Sequence, residues 1–314
     1  MSLPPDHLER IERARLSLEG LAIGDAFGEM LAYGSEHARQ RVEHGLIGGP
    51  WFHTDDTEMA LSIFEQLRAR GRIDPDELAI RFAERFRSDP DRGYGSMARH
   101  ILRKILAGVP WGAAAGEAFG GGGSMGNGGA MRVAPLGAYF AADLDISLHG
   151  EAALSAGVTH AHREGIAGAV AIAVAAAMAW RLRCQPKEAA ARELLQAVYD
   201  RTPDGETRVG LARALHLPFH TIARAAARVL GNGSQVTAPD TVPYAVWSAA
   251  KHLDDYREAL VETVLGDGDC DTNCAIVGGI VVLFVGRDSI PADWREARER
   301  FDFEKATDPP PFDS

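Results

Sequence analysis

Cysteine is scarce in this chain, and its few cysteines follow no pairing pattern. The 314 residues include 3 cysteines, Cys184, Cys270 and Cys274, with no CxxC pair and no histidine at zinc-finger spacing. Neither a disulfide framework nor a structural zinc site is indicated, so we expect a reducing, cytoplasmic compartment. The first ten residues also lack the apolar segment of a secretory signal.

Basic residues and long apolar runs are also in short supply. The 33 Lys and Arg residues stand against 44 Asp and Glu, a net charge of −11. Because phosphate contacts require clustered Lys and Arg, this balance argues against general binding of nucleic acids or anionic membranes. The longest apolar run, 165–180, is shorter than the ~20 residues of a membrane-spanning helix. Its Ala and Gly content predicts a buried core helix. No pattern indicates an oligomeric state.

Helical periodicity dominates what is present, and alternating strand patterns are scarce. Although the length allows two domains, no linker divides the chain, and we expect an all-α single domain over 1–314 with its core at about 12–295. The Pro- and Asp-rich tail, 306–314, is expected to be disordered. The predicted helices cover 10–26, 54–71, 75–87, 96–107, 129–141, 164–183, 186–199, 206–216, 218–230, 242–253, 256–265 and 272–285.

Two acidic clusters stand immediately before apolar helical patterns, at 54–57 (TDDT) and 267–272 (DGDCDT). Either one alone is explained by helix capping, because Thr and Asp satisfy free N–H groups at a helix start. Together they offer hard oxygen ligands of the kind that magnesium, manganese or calcium prefers, enough for two cations that share a carboxylate. The second cluster is not an EF-hand loop, since Ile280 replaces the required Glu. The candidate ligands are Thr54, Asp55, Asp56, Asp269, Asp271 and Thr272.

Five motifs follow one another over roughly 12–295: 24–28 (GDAFG), 54–57 (TDDT), 126–132 (GNGGAMR), 159–160 (TH) and 269–272 (DCDT). In these motifs and their order the sequence resembles the ADP-ribosylglycohydrolase family. The resemblance implies a compact orthogonal helix bundle and a substrate that is ADP-ribose or an ADP-ribosylated molecule. It also implies a binuclear Mg²⁺ (or Mn²⁺) site built from the same six candidate ligands.

A glycine-rich segment, 120–129, holds seven glycines in ten residues (GGGGSMGNGG). It is explained either as a flexible loop or as backbone that approaches an anion closely at a helix start. The resemblance places the diphosphate of ADP-ribose there and makes His160 a ligand contact. Arg132, in the first turn of the predicted helix, faces phosphate or pairs with a buried acid. The candidate ligand-binding residues are Ser124, Met125, Gly126, Asn127, Gly128, Gly129, Arg132 and His160.

One position departs from the family pattern. Ala32 stands where many members carry a Glu at the metal site, four residues after the second glycine of GDAFG. Glu29 and Glu36 flank it and are the candidates to replace that acid, while Asp55 or Asp56 could orient a water molecule. The catalytic candidates are therefore Asp55, Asp56, Glu29 and Glu36.

The leading functional hypothesis is metal-dependent hydrolysis of the glycosidic bond at C1'' of an ADP-ribosyl group on a protein side chain or small acceptor. The transition state would resemble an oxocarbenium ion, as in glycoside hydrolysis. Two alternatives stay open: an ADP-ribose-binding protein with little turnover, because of Ala32, and a metal-dependent phosphohydrolase. Which linkage is cleaved is not encoded in any motif.

Overall fold

The computed structural model describes residues 3–32, 37–45, 49–144 and 146–301. Two expectations fall outside the described residues: Glu36 as a catalytic candidate and the tail at 306–314. Within the described ranges the chain is all-α, as predicted, and its β pairing is limited to two isolated bridges, Trp51 with Arg298 and Gly126 with Thr237.

Eighteen α-helices and one short 3₁₀ turn, Arg287–Ser289, make up the described architecture. The helices are α1 (His7–Leu31), α2 (Ala38–Glu43), α3 (Asp55–Arg70), α4 (Pro75–Ser88), α5 (Ser96–Leu106), α6 (Trp111–Gly116), α7 (Ala118–Gly121), α8 (Gly128–Met131), α9 (Ala134–Tyr139), α10 (Ile146–Gly157), α11 (Arg163–Leu182), α12 (Lys187–Arg201), α13 (Glu206–His216), α14 (Ala223–Leu230), α15 (Ala238–Lys251), α16 (Tyr256–Val264), α17 (Cys270–Val285) and α18 (Ala292–Ala297).

Helices α1 and α17 pack backbone against backbone at the centre of the bundle. Three glycines at a spacing of four, Gly20, Gly24 and Gly28, face α17. A Cβ atom on Gly24 would lie 2.1 Å from the carbonyl oxygen of Cys274, and one on Gly28 would lie 2.3 Å from that of Cys270. Because no side chain fits between them, the GDAFG motif of α1 is held directly against the second acidic cluster at the start of α17.

Helix α11 is the buried core helix that the apolar run predicted. Residues 171–177 have no exposed surface at all. The helix is long and apolar enough to span a membrane by composition, but most of its length is covered by other parts of this chain. Burial on all sides explains why its apolar residues do not follow one face.

The prediction of one helix over 129–141 was wrong, because the structure has two short helices there, α8 and α9. Pro135 is the reason: it lies in the first turn of α9 and has no N–H to continue a preceding helix. The predicted helix over 218–230 begins only at Ala223, after a turn at 218–221. Helix α10 was not predicted.

Candidate active site

Asp25 of the GDAFG motif is a buried anchor for the first acidic cluster. It has no exposed surface, and its carboxylate accepts hydrogen bonds from Thr54 N and Thr54 Oγ1, both at 2.9 Å. It also accepts from Thr57 N at 3.2 Å and Thr57 Oγ1 at 2.6 Å. Burial raises the pKa of Asp25 to about 6, against the opposing effects of His53 and the Thr57 hydrogen bond.

Sequence reasoning did not assign Asp25 to the site, although a signal was present. Asp25, between Gly24 and Gly28, is the one acid in the otherwise apolar stretch 20–28 of α1, which makes it an unusual buried charge. Buried carboxylates require hydrogen-bond donors, and the threonines of the TDDT motif supply them.

The first cluster combines a helix cap with two buried acids. Thr54 caps α3, accepting from Asp56 N at 3.3 Å, so the capping interpretation holds for this cluster. Asp56 is only 2% exposed. One of its oxygens, Oδ2, lies 3.1 Å from Thr54 Oγ1, whereas its Oδ1 is buried with no hydrogen-bond partner. Capping therefore accounts for Thr54 but leaves a carboxylate oxygen of Asp56 unsatisfied.

The second cluster does not act as a helix cap. Asp269 occupies the N-cap position of α17, but its side chain makes no capping hydrogen bond. Its Oδ2 instead accepts from Asn127 Nδ2 at 2.6 Å. The turn before it is tight, because Gly268 has φ of +82° and a Cβ there would lie 2.3 Å from the carbonyl oxygen of Asn232. The backbone thus turns Asp269 away from its own helix and towards the glycine-rich segment.

The acids of the two clusters repel one another across the site. Burial raises the pKa of Asp55 to about 8, and the next cause is repulsion by Asp271. The pKa of Asp269 rises to about 8 for the same two reasons. Burial, then Asp25 and Asp271, raises the pKa of Asp56 well above its usual value. The structure therefore places the two clusters beside one another, with Asp271 acting on acids of both.

The candidate ligands are not arranged around a common cation position. Among the residues that the structure describes, no three Asp, Glu, His or Cys side chains already form a cation-binding set. Glu29 extends from the end of α1 next to this site, and its pKa is raised by loss of hydration and by Asp271. Ala32, the C-cap residue of α1, provides no polar group here.

His160 lies directly beneath the glycine-rich segment. A Cβ on Gly126 would lie 3.1 Å from its Nε2, and one on Gly128 would lie 2.7 Å from its Cε1. Its Nδ1 lies 2.7 Å from Thr159 Oγ1, which accepts from Arg132 Nη2 at 2.9 Å. The proton of the threonine hydroxyl is then available to Nδ1, and in the tautomer that accepts it the neutral imidazole carries its own proton on Nε2. Burial, followed by Arg132, lowers the pKa of His160 to about 3.

Of the two roles that the sequence left open for Arg132, contact with a phosphate does not fit its burial. Arg132 has no exposed surface. Its guanidinium donates to Ser155 O at 2.8 Å and lies 4.5 Å from the centre of the Phe82 ring. No salt bridge joins Arg132 to an acid in the described part of the chain, but its positive charge opposes the rise in the pKa of Asp55.

The glycine-rich segment is more constrained than its composition predicted. Asn127 is not a free donor for a phosphate, since its N–H donates to Val236 O at 3.2 Å and its amide is bound to Asp269. The N–H of Gly126 donates to Ser124 Oγ at 3.2 Å, and Met125 O accepts from Ala238 N. Helix α8 is a single turn, so the helix-start argument for anion binding loses its basis. Ser124, Met125, Gly128 and Gly129 remain candidate contacts.

Comparison with known proteins gives a consistent identification. The profile of the ADP-ribosylglycohydrolase family matches residues 6–308. The chain is 28% identical to ADP-ribosylhydrolase ARH3 of Homo sapiens over 80% of this chain and 76% of that protein. It is 25% identical to ADP-ribosyl-[dinitrogen reductase] glycohydrolase of Rhodospirillum rubrum over 90% and 89%.

A solved structure supports the same conclusion. The chain superposes on an ADP-ribosylglycohydrolase-related protein complex with a TM-score of 0.65 and 26% identity, covering 93% of this chain and 94% of the other. The shared fold, the motifs in order and the matched length agree. The chain belongs to the ADP-ribosylglycohydrolase family and is a glycosyl hydrolase of that type.

Proposed function

We propose that this ADP-ribosylglycohydrolase depends on divalent metal and cleaves the glycosidic bond at C1'' of an ADP-ribosyl group on a protein side chain or small acceptor. The observation that carries the metal dependence is the meeting of a buried acidic cluster at 54–57 with a half-buried one at 269–272, with raised pKa values at Asp55 and Asp269 and with Asp56 Oδ1 left without a partner. Buried acids in such a cluster require a cation or protons to balance them.

The donor set fits Mg²⁺ or Mn²⁺, because all candidate ligands are carboxylate or hydroxyl oxygens. Two cations would be held by Thr54, Asp55 and Asp56 on one side and Asp269, Asp271 and Thr272 on the other. When bound, they would supply positive charge that binds the ribose hydroxyls and the attacking water. The carboxylates would close around the cations, since they are not already arranged as ligands.

The chain's own residues supply positioning and proton transfer. Asp25 holds Thr54 and Thr57 in place through four hydrogen bonds, which fixes the start of α3. A carboxylate of Asp55 or Asp56 orients the attacking water and accepts its proton, and the transition state has oxocarbenium character. Glu29, whose pKa is raised, is the acid within reach of Asp271 that replaces the missing Glu at position 32.

ADP-ribose is oriented by the glycine-rich segment and the histidine beneath it. The absence of side chains at Gly126 and Gly128 lets the His160 ring pack against the segment, and the imidazole contacts the ligand from there. The relatives act, by their names, on ADP-ribosyl groups, one of them on dinitrogen reductase. A protein-linked ADP-ribosyl group in the cytoplasm is the corresponding substrate for this chain.

A panel of ADP-ribosylated arginine, serine and nucleobase substrates, assayed with Mg²⁺, with Mn²⁺ and with chelator, tests this function. We expect ADP-ribose release from at least one substrate with metal and none with chelator. Full activity in chelator would overturn the metal dependence. Ala32 favours a second candidate, an ADP-ribose-binding protein with little turnover, for which calorimetry would detect binding without release. Phosphate release from nucleotides would instead indicate a phosphohydrolase.

A further inference from the structure

The C-terminal segment, residues 294–301, lies beside the loop that enters α3. Trp51 N donates to Ala297 O at 2.7 Å, and Glu299 N donates to Trp51 O at 2.9 Å. The rings of Trp51 and Trp294 pack with centroids 5.6 Å apart. These contacts bring the side chain of Glu299 to the loop that carries the first acidic cluster, far from it in sequence.

Glu299 makes a two-pronged ion pair with Arg92. Its two carboxylate oxygens accept from Arg92 Nη1 at 2.7 Å and from Nη2 at 2.8 Å. Both side chains are less than one-fifth exposed, 17% for Arg92 and 18% for Glu299. A carboxylate that accepts two parallel hydrogen bonds, with little water around it, holds a guanidinium in one orientation.

Arg92 in turn holds the loop from two sides. Its Nη1 donates to His53 O at 3.0 Å, and its own carbonyl oxygen accepts from Asp55 N at 2.6 Å. The next residue, Gly93, has φ of +90°, and a Cβ there would lie 3.3 Å from Asp55 Oδ1. The backbone of Asp55 is thus bound by residue 92, and one of its carboxylate oxygens lies beside residue 93, where only a glycine leaves it room.

We infer that Glu299 is a positioning residue for Asp55 and that it acts through Arg92. The pair sets the backbone of the loop and therefore the direction in which the Asp55 carboxylate enters the site. Glu299 also lies 3.3 Å from Nδ1 of His53 in the same loop, and its effect is to pre-organise the site. The inference rests on the proposed metal site, and its test includes one measurement that needs no metal.

Two variants and a matched control test the inference. Glu299→Gln removes the charge and one acceptor, and Arg92→Lys keeps the charge but loses the two-pronged geometry. Glu19→Gln is the control, because Glu19 pairs with Arg287 in the same way, at 2.7 and 2.9 Å, and joins α1 to the 3₁₀ turn without contact to the loop at 53–55.

Hydrogen exchange of the Asp55 amide in chelator is the metal-free measurement, and Mn²⁺ binding followed by electron paramagnetic resonance is the second. We expect faster exchange at 50–58 in both variants and Mn²⁺ affinity lower by about 10- to 100-fold, with wild-type values for Glu19→Gln. Wild-type exchange in both variants overturns the inference, as does an equal loss of Mn²⁺ affinity in the control. If the wild-type protein binds no Mn²⁺, the metal site of the proposed function is overturned. The hydrogen-exchange result still tests the role of Glu299, because it is measured without metal.

Discussion

Asn127 donates a 2.6 Å hydrogen bond from Nδ2 to Oδ2 of Asp269, which joins the glycine-rich segment directly to the second acidic cluster. The same nitrogen also donates to Thr241 Oγ1 at 3.0 Å. The proposed ligand-binding loop and the proposed metal site are therefore one bonded unit. A change on either side is expected to alter both.

Replacement of Asn127 tests this link. We expect Asn127→Ala to lower Mn²⁺ affinity by about 10- to 100-fold and to raise the KM, because Asp269 loses the donor that orients it. Thr241→Val is the matched control: it removes the other acceptor of the same amide and leaves Asp269 bonded. Wild-type Mn²⁺ affinity and KM in Asn127→Ala would show that the hydrogen bond is incidental.

The anchor role of Asp25 can be measured as stability. Asp25→Asn replaces a carboxylate oxygen by an NH₂ group that faces N–H and O–H donors, so at least one buried donor loses its partner. We expect the free energy of unfolding in chelator to fall by about 1–3 kcal/mol, measured by urea titration. Asp255→Asn serves as control, since Asp255 caps α16 and Asn caps equally well. Equal stability of the two variants would contradict the anchor role.

The repulsion among the acids predicts how stability depends on pH. The pKa values of Asp55 and Asp269 rise to about 8 in the folded protein, above their unfolded values near 4. The unfolded state therefore loses these protons first, and the two groups lower the stability of the metal-free protein progressively from about pH 4 to pH 8.

Unfolding free energies in chelator and in Mg²⁺ across this pH range measure the effect. We expect the unfolding free energy in chelator to fall as the pH rises. Added Mg²⁺ should reduce this fall, and so should the Asp55→Asn, Asp269→Asn double substitution. Since bound metal requires deprotonated ligands, Mg²⁺ affinity should increase up to about pH 8. A Mg²⁺ affinity independent of pH would argue against these two acids as ligands.

The close approach of α1 and α17 makes Gly28 sensitive to added volume. A Cβ there would lie 2.3 Å from Cys270 O, so Gly28→Ala must push the helices apart. We expect a loss of about 1–3 kcal/mol in unfolding free energy together with lower activity, because Asp25 and Asp271 are carried on the separated helices. Gly150→Ala in α10 is the control, since a Cβ there meets nothing within 4 Å, and it should stabilise by about 0.4–1 kcal/mol. Equal effects of the two substitutions would refute the argument.

Short-range sequence patterns predicted the helices and the acidic clusters well where neighbouring residues alone decide the structure. The helical spacing of apolar residues placed α3, α4 and α13 almost to the residue, because one face of each is buried. The same reasoning failed at 129–141, where Pro135 divides the segment. It also gave no sign that Arg132 is buried beside Phe82 and Thr159, since nothing near Arg132 in the sequence indicates these contacts.

The sequence by itself determined the all-α class, the family motifs and the oxygen-rich character of the candidate ligands, because periodicity and residue chemistry are properties of short segments. Only the tertiary structure decided which of those groups meet. The contact of Gly24 and Gly28 with α17, the bond from Asn127 to Asp269 and the pair between Arg92 and Glu299 all join residues distant in sequence. Packing in three dimensions brings two helix starts together into one partly buried site whose acids repel one another.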